Sequence, residues 1–195
     1  MRNQSSSIPS SLSRPLVIGA VLVALMVVSR GHYFPALRAA LPSTSWAVFF
    51  LAGVYLRPRW FLPVLLLLAG ALDVLAIGWG HVSDYCLTIA YAALVPAYAA
   101  LWLGGRWFAS EVALGRGTMA RLAASAFVAT FACEIISSGS FYFSSGRFAD
   151  PTLAGFGERL VQYFPHSLAA MALWVTLAAL SRALVQARSP QAVLS

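Results

Sequence analysis

The chain has 195 residues, of which 60% are apolar and only 10% are charged, and its mean hydropathy is +0.78. This composition excludes an ordinary soluble domain and predicts one helical bundle in a membrane. The net charge of +7 comes from arginines scattered over the segments between apolar runs, so positive-inside topology explains it better than nucleic-acid binding. All 13 basic residues are arginine, which excludes a Schiff-base lysine and a P-loop lysine. The two cysteines are too few for a disulfide framework or a structural zinc site.

Six apolar runs predict six transmembrane helices in an all-α bundle. We expect a disordered N-terminal tail at 1–13, one transmembrane domain at 14–186 and a C-terminal tail at 187–195. The predicted helices are Pro15–Ser29, Ser43–Leu56, Trp60–Trp79, Asp84–Gly104, Thr118–Ser138 and Gln162–Leu184. The second is short, which favours a tilted or partly re-entrant segment. Pro63 falls in a first turn, whereas Pro96 is expected to kink the fourth helix in its middle.

The arginines predict the orientation of the bundle. One set of segments carries nine of them, Arg2, Arg14, Arg57, Arg59, Arg106, Arg116, Arg121, Arg182 and Arg188. The other set carries four, Arg30, Arg38, Arg147 and Arg159. Both termini are therefore expected in the cytoplasm, with an even number of crossings.

On this map, the residues capable of chemistry collect in the outer half. They are all three histidines (His32, His81 and His166), both cysteines, and the two intramembrane acids, Asp73 and Glu134. A carboxylate in hydrocarbon is costly, so each acid is expected to have a partner inside the bundle. Each acid is interpreted either as a ligand-contacting group or as part of a structural pair, with nearby serines as local partners for Glu134. Because all of these residues fall in the outer half of the predicted bundle, we expect a site that is open to the outside.

Cys86 is the most distinctive of these residues. It follows Ser83 and Asp84 in the predicted first turn of a helix, where the helix N-terminus favours a thiolate. A thiolate is a nucleophile and a soft metal ligand, although most free cysteines only fill space. The flanking Tyr85 and Tyr91 either wall a planar ligand or belong to an interfacial aromatic belt. A disulfide between Cys86 and Cys133 is the competing possibility in an oxidising exterior.

Two further segments provide candidate contacts to a ligand. His32, with Tyr33 and Phe34, follows the first helix and is either a closing group or a surface histidine. Arg147 belongs to a predicted long outer loop with Asp150 and Glu158, and loops of this length are often lids or binding loops. Enzyme motifs such as HExxH, GxSxG and CxxC are absent from the sequence. Ser140 and His166 fit an intramembrane serine hydrolase only poorly, because no GxSG-type context surrounds Ser140.

Three stretches carry a resemblance to a known family: "SRGHYFPALRAALP", "LLAGALDVLAIGWG" and "SDYCLTIAYAALVPAY". With them, the chain resembles the substrate-binding (S) components of energy-coupling factor (ECF) vitamin transporters, and in particular the BtuM-type cobalamin transporters of Gram-negative bacteria. The resemblance implies uptake of cobalamin, vitamin B12, across the inner membrane through a pocket that faces the periplasm. Cobalamin is then the transported ligand, and no intrinsic cofactor is expected.

The resemblance also implies roles for individual residues. Cys86 would coordinate the cobalt. From the chemistry of a thiolate ligand, we further expect it to displace the lower base and to weaken the bond to an upper ligand such as cyanide. The resemblance places His32, Asp73 and Tyr91 near Cys86. Together with Tyr33, Tyr85 and Arg147, which were selected from their positions in the sequence, they form the predicted substrate-binding set. The partners would be cobalamin, the lipid bilayer and either an ECF transmembrane and ATPase module, docked at Ala20 and Ala24, or none. The alternatives are an S component for another vitamin, an intramembrane hydrolase using Cys86 or Ser140, and a purely structural subunit.

Overall fold

The computed structural model describes residues 10–30, 44–78 and 89–188, and within them the chain forms six α-helices and no strand. They are α1 (Ser10–Arg30), α2 (Ser45–Tyr55), α3 (Phe61–Gly78), α4 (Leu94–Ala113), α5 (Met119–Ser144) and α6 (Leu153–Arg188). A short 3₁₀ helix, Ile89–Ala93, leads into α4. The predicted all-α fold and the number of helices are confirmed over this part of the chain.

Several predicted boundaries were wrong, because hydropathy marks the apolar part of a helix and not its ends. Helix α1 already includes residues 10–13, which the prediction placed in a disordered tail. Helix α6 begins at Leu153, where the N–H of Gly155 donates to the hydroxyl of Thr152 at 3.1 Å. The predicted long outer loop therefore shrinks to residues 145–152, and Glu158 is helical.

The two prolines noted in the sequence both lie in first turns. Pro63 occupies the first turn of α3, as predicted. Pro96 was expected to kink the middle of a helix, and this expectation was wrong. The 3₁₀ segment ends at Ala93, so Pro96 falls in the first turn of α4. N–H groups in a first turn have no acceptor within the α-helix, so proline is tolerated there.

Helix α2 is the centre of the bundle and contacts all five other helices. Phe49 and Phe50 on it are completely buried. Its backbone lies directly against α4: a Cβ atom on Gly53 would stand 2.1 Å from the carbonyl oxygen of Trp102, and one on Gly105 would stand 2.0 Å from that of Phe50. Only glycine permits this approach, so the pair fixes how α2 and α4 meet.

The surface of the bundle indicates a membrane protein. Three described helices are long and apolar enough to cross a bilayer, Phe61–Gly78, Met119–Ser144 and Leu153–Ala187. Large apolar side chains also face outward, and Leu67 on α3 is 74% exposed. Helix α2 has 11 residues and is about 16 Å long, roughly half the thickness of a bilayer core.

Antiparallel packing gives the bundle two distinct ends. Helices α1, α3 and α5 finish, and α2, α4 and α6 begin, at what we call the Asp73 end. At the opposite end, the guanidinium of Arg106 donates to the carbonyl of Arg57 at 2.8 Å. There Arg121 also pairs with Glu111, and its N–H donates to the capping hydroxyl of Thr118 at 3.3 Å.

Candidate functional site

An ion pair joins the end of α1 to α3. The Nε and Nη2 atoms of Arg30 donate to Oδ1 and Oδ2 of Asp73, both at 2.6 Å. This bidentate geometry is the strongest arrangement for an arginine and a carboxylate. The side chains are only 14% and 20% exposed. The partner that Asp73 was expected to have is therefore Arg30, which the sequence analysis had assigned to an outer connecting segment.

Three more side chains complete this network, which we call the Arg30 cluster: Arg30, Ser45, Asp73, Tyr91 and Tyr98. The hydroxyl of Tyr91 donates to Oδ2 of Asp73 at 2.7 Å. The Nη1 atom of Arg30 donates to the hydroxyl of Tyr98 at 2.9 Å and to that of Ser45 at 3.2 Å. The cluster thus ties together α1, α2, α3, α4 and the 3₁₀ segment.

Packing holds the cluster in place as well as hydrogen bonding. The ring of Tyr98 stacks on Phe49 of α2 with centroids 4.4 Å apart. The guanidinium carbon of Arg30 lies 5.8 Å from the centroid of the same tyrosine ring. Next to it, the hydroxyl groups of Ser29 and Thr44 are hydrogen-bonded to each other. Asp73 is therefore a paired, oriented carboxylate and not a free base.

The structure brings together two of the predicted site residues, Asp73 and Tyr91. Four others, His32, Tyr33, Tyr85 and Cys86, lie outside the described residues, and so does His81. Arg147 lies in the exposed segment between α5 and α6, where its backbone N–H donates to the hydroxyl of Ser145 at 3.2 Å. The cluster members that sequence reasoning missed are Arg30, Ser45 and Tyr98.

The second intramembrane acid, Glu134, has a different environment. It is 4% exposed and lies between α5 and α6. Ser138 donates to its Oε1 at 2.5 Å, and Ser167 of α6 donates to its Oε2 at 2.9 Å. Neither of the two ion pairs found among the described residues involves Glu134. Of the serines expected to satisfy it locally, only Ser138 does.

The cysteine and two other serines near Glu134 are buried or hydrogen-bonded to the backbone of their own helix. Cys133 is free and completely buried. The hydroxyl of Ser137 donates to the carbonyl of Cys133 at 2.7 Å, and that of Ser140 donates to the carbonyl of Ile136 at 2.5 Å. His166 is exposed and forms no hydrogen bond with Ser140. The pair considered for a serine hydrolase is therefore not assembled.

Aromatic rings surround a basic residue where α5 and α6 meet at the Asp73 end. The guanidinium carbon of Arg159 lies 4.8 Å from the ring centroid of Phe148, 5.4 Å from that of Tyr163 and 5.7 Å from that of Tyr142. All three distances are within the range of a cation–π contact. Sequence reasoning had treated Arg159 only as one of the outer arginines.

Within the described ranges, no group of three or more His, Cys, Asp or Glu side chains is placed to hold a metal ion. A search against protein-family models and a search of curated proteins both find no match to this chain. The Arg30 cluster is accordingly the main evidence for a functional site.

Proposed function

We propose that this chain takes up cobalamin across the bacterial inner membrane and binds it at the Asp73 end of a six-span bundle. The observation that supports this most is the Arg30 cluster, which fixes Asp73 and Tyr91 against each other. The family resemblance implies that both lie near Cys86. Cys86 precedes Tyr91 by only five residues in the chain, and His32 follows Arg30 by two.

In this proposal, the Arg30 cluster forms a rigid wall of the binding site, and Cys86 is the ligand to cobalt. A side chain that positions a ligand works best when its own rotamer is locked by packing and hydrogen bonds, as those of Asp73 and Tyr91 are. Tyr33, Tyr85, His32 and Arg147 are the proposed surrounding contacts.

The Cys86 thiolate would act as a soft axial ligand to Co(III) and replace the lower base. Its electron donation would weaken the bond to cyanide on the opposite face. Cyanide then leaves with the bonding electron pair as cyanide ion, so the cobalt stays Co(III) and no reductant is consumed.

The proposed orientation places both termini in the cytoplasm and the Asp73 end in the periplasm, following the nine-to-four distribution of arginines. Arg57, Arg106 and Arg121 then lie at the cytoplasmic end. The sequence has no nucleotide-binding motif, so energy from ATP would have to come from an ECF-type partner module.

The test is a visible absorption titration of the purified protein with cyanocobalamin. We expect the wild type to bind it with a shifted corrin spectrum, and Cys86→Ser to lose the shift. Cys133→Ser is the matched control for loss of a thiol, since Cys133 is completely buried in the bundle core and is not a proposed cobalt ligand. A Cys86→Ser spectrum identical to that of the wild type would rule out cobalt ligation, and absence of binding by the wild type would rule out the function.

A further inference from the structure

The donor groups of Arg159 have no anionic partner among the described residues. Its three contacts are all with rings, those of Tyr142, Phe148 and Tyr163. The described chain forms two ion pairs, and neither includes Arg159. Glu158 and Asp150 are near in sequence but are exposed and make no ion pair with it.

Ring contacts leave the hydrogen-bonding capacity of a guanidinium unused. Aromatic rings attract the cation through their π faces, whereas its five N–H donors lie in the guanidinium plane. Arg159 is partly buried at the edge of the bundle, so these donors are only partly available to water. The planar fork matches two oxygens of a phosphate or carboxylate.

The three rings also come from different parts of the chain. Tyr142 belongs to α5, Phe148 to the connecting segment and Tyr163 to α6. The hydroxyl of Tyr142 further accepts a hydrogen bond from the N–H of Thr152 at 3.4 Å, which ties the start of α6 to α5. The guanidinium is therefore held in position before any ligand binds, and this reduces the entropy cost of binding.

We propose that Arg159 binds a phosphodiester oxyanion at the Asp73 end of the molecule. This inference rests on the proposed function: the oxyanion is the phosphodiester in the nucleotide loop of cobalamin. Arg159 would then recognise the part of the ligand that Cys86 displaces from cobalt. The other source of the same chemistry is the phosphate of a membrane lipid.

The experiment compares two corrinoids, cyanocobalamin and cobinamide, which lacks the phosphodiester and its nucleotide. Affinities are measured by spectral titration of the full chain in nanodiscs. We expect Arg159→Gln to weaken cyanocobalamin binding by about tenfold and to leave cobinamide binding unchanged, because the lost interaction is a charge-assisted hydrogen bond. Arg159→Lys keeps the charge but loses the planar fork of donors, so its affinity for cyanocobalamin is expected to lie between those of the wild type and Arg159→Gln. Arg182→Gln, on the same helix at the opposite end, is the matched control.

A second measurement distinguishes the source of the oxyanion. Phospholipid retained by the purified protein is counted by native mass spectrometry after exchange into phosphatidylglycerol vesicles. A lower count for Arg159→Gln, with unchanged corrinoid binding, assigns the site to lipid phosphate. If neither corrinoid binds to the wild type, the proposed function fails, and the lipid count alone then decides the inference. The inference is overturned if Arg159→Gln, folded like the wild type in a melting experiment, changes neither measurement or weakens both corrinoids equally.

Discussion

At the Asp73 end, the carboxylate of Asp73 faces a guanidinium, whereas that of Glu134 faces two hydroxyl groups. Asp73 receives two bonds from Arg30 and one from Tyr91. Glu134 receives one each from Ser138 and Ser167. Arg159, the basic residue where α5 and α6 meet, instead lies among aromatic rings. At this end, Arg30 of α1 therefore pairs with Asp73 of α3, whereas Glu134 of α5 and Arg159 of α6 have uncharged partners among the described residues.

This difference separates two uses of a charged residue in a membrane protein. A closed ion pair fixes the relative positions of helices and has little capacity left for a ligand. A charged group with only neutral partners keeps a strong requirement for a counter-charge. We therefore expect the Arg30 cluster to set the shape of the site, and Arg159 to meet the ligand.

The largest effect is expected from breaking the closed pair. Asp73→Asn or Arg30→Gln would each leave a mostly buried charge without its partner. Either change should lower the free energy of unfolding by about 3 kcal/mol, near the lower end for buried pairs because both side chains keep some exposure. Denaturation of the purified protein in mild detergent measures it.

A double variant separates the pair from its surroundings. Arg30→Met together with Asp73→Leu removes both charges and should recover most of the loss. Tyr91→Phe is the matched control, since it removes one hydrogen bond to Asp73 but leaves the ion pair in place, and it should cost about 1–2 kcal/mol. Losses from Arg30 and Asp73 that simply add in the double variant would show that the two residues do not act as a pair.

A smaller effect is expected from Glu134→Gln. The amide keeps the size of the side chain and can accept from Ser167, and no described basic residue is left without a partner. The free energy of unfolding should change by less than about 1 kcal/mol. The same denaturation experiment, run beside Asp73→Asn, compares the two acids directly. A loss for Glu134→Gln as large as that for Asp73→Asn would mean that a residue outside the described ranges pairs with Glu134.

The sequence predicted the six helices well because each contains an apolar run, and it predicted the partners of the buried charges poorly. Arg30 directly follows the first run, so hydropathy assigned it to a connecting segment. Yet Arg30 and Asp73 carry opposite charges at the same predicted end, and that was the available signal. What one sequence does not specify is which helices are neighbours. Here the close approach at Gly53 and Gly105 places α2 against α4 and so positions Ser45 beside Tyr98.

Helix α6 shows a related limit. Its first turns carry Glu158 and Arg159, which lower the local hydropathy, so the prediction ended the outer loop too late. Charged residues are compatible with a helix when they lie near its ends or have partners. The rings around Arg159 are such partners, and two of the three come from outside α6: Tyr142 lies in α5 and Phe148 in the connecting segment. Contacts of this kind depend on tertiary packing and leave no periodic signal along the chain.

The smallest effect is expected from Ser140→Ala, which tests whether the α5–α6 region contains a nucleophile. The hydroxyl of Ser140 donates to the carbonyl of Ile136 in its own helix, and that carbonyl keeps its backbone role without it. The free energy of unfolding should therefore change by no more than about 0.5 kcal/mol, as for a substitution away from any network. Corrinoid affinity should equal that of the wild type, whereas Ser167→Ala, which removes a bond to Glu134, should destabilise the protein measurably. A covalent label from a serine-directed fluorophosphonate that disappears in Ser140→Ala would overturn this assignment and revive the hydrolase alternative.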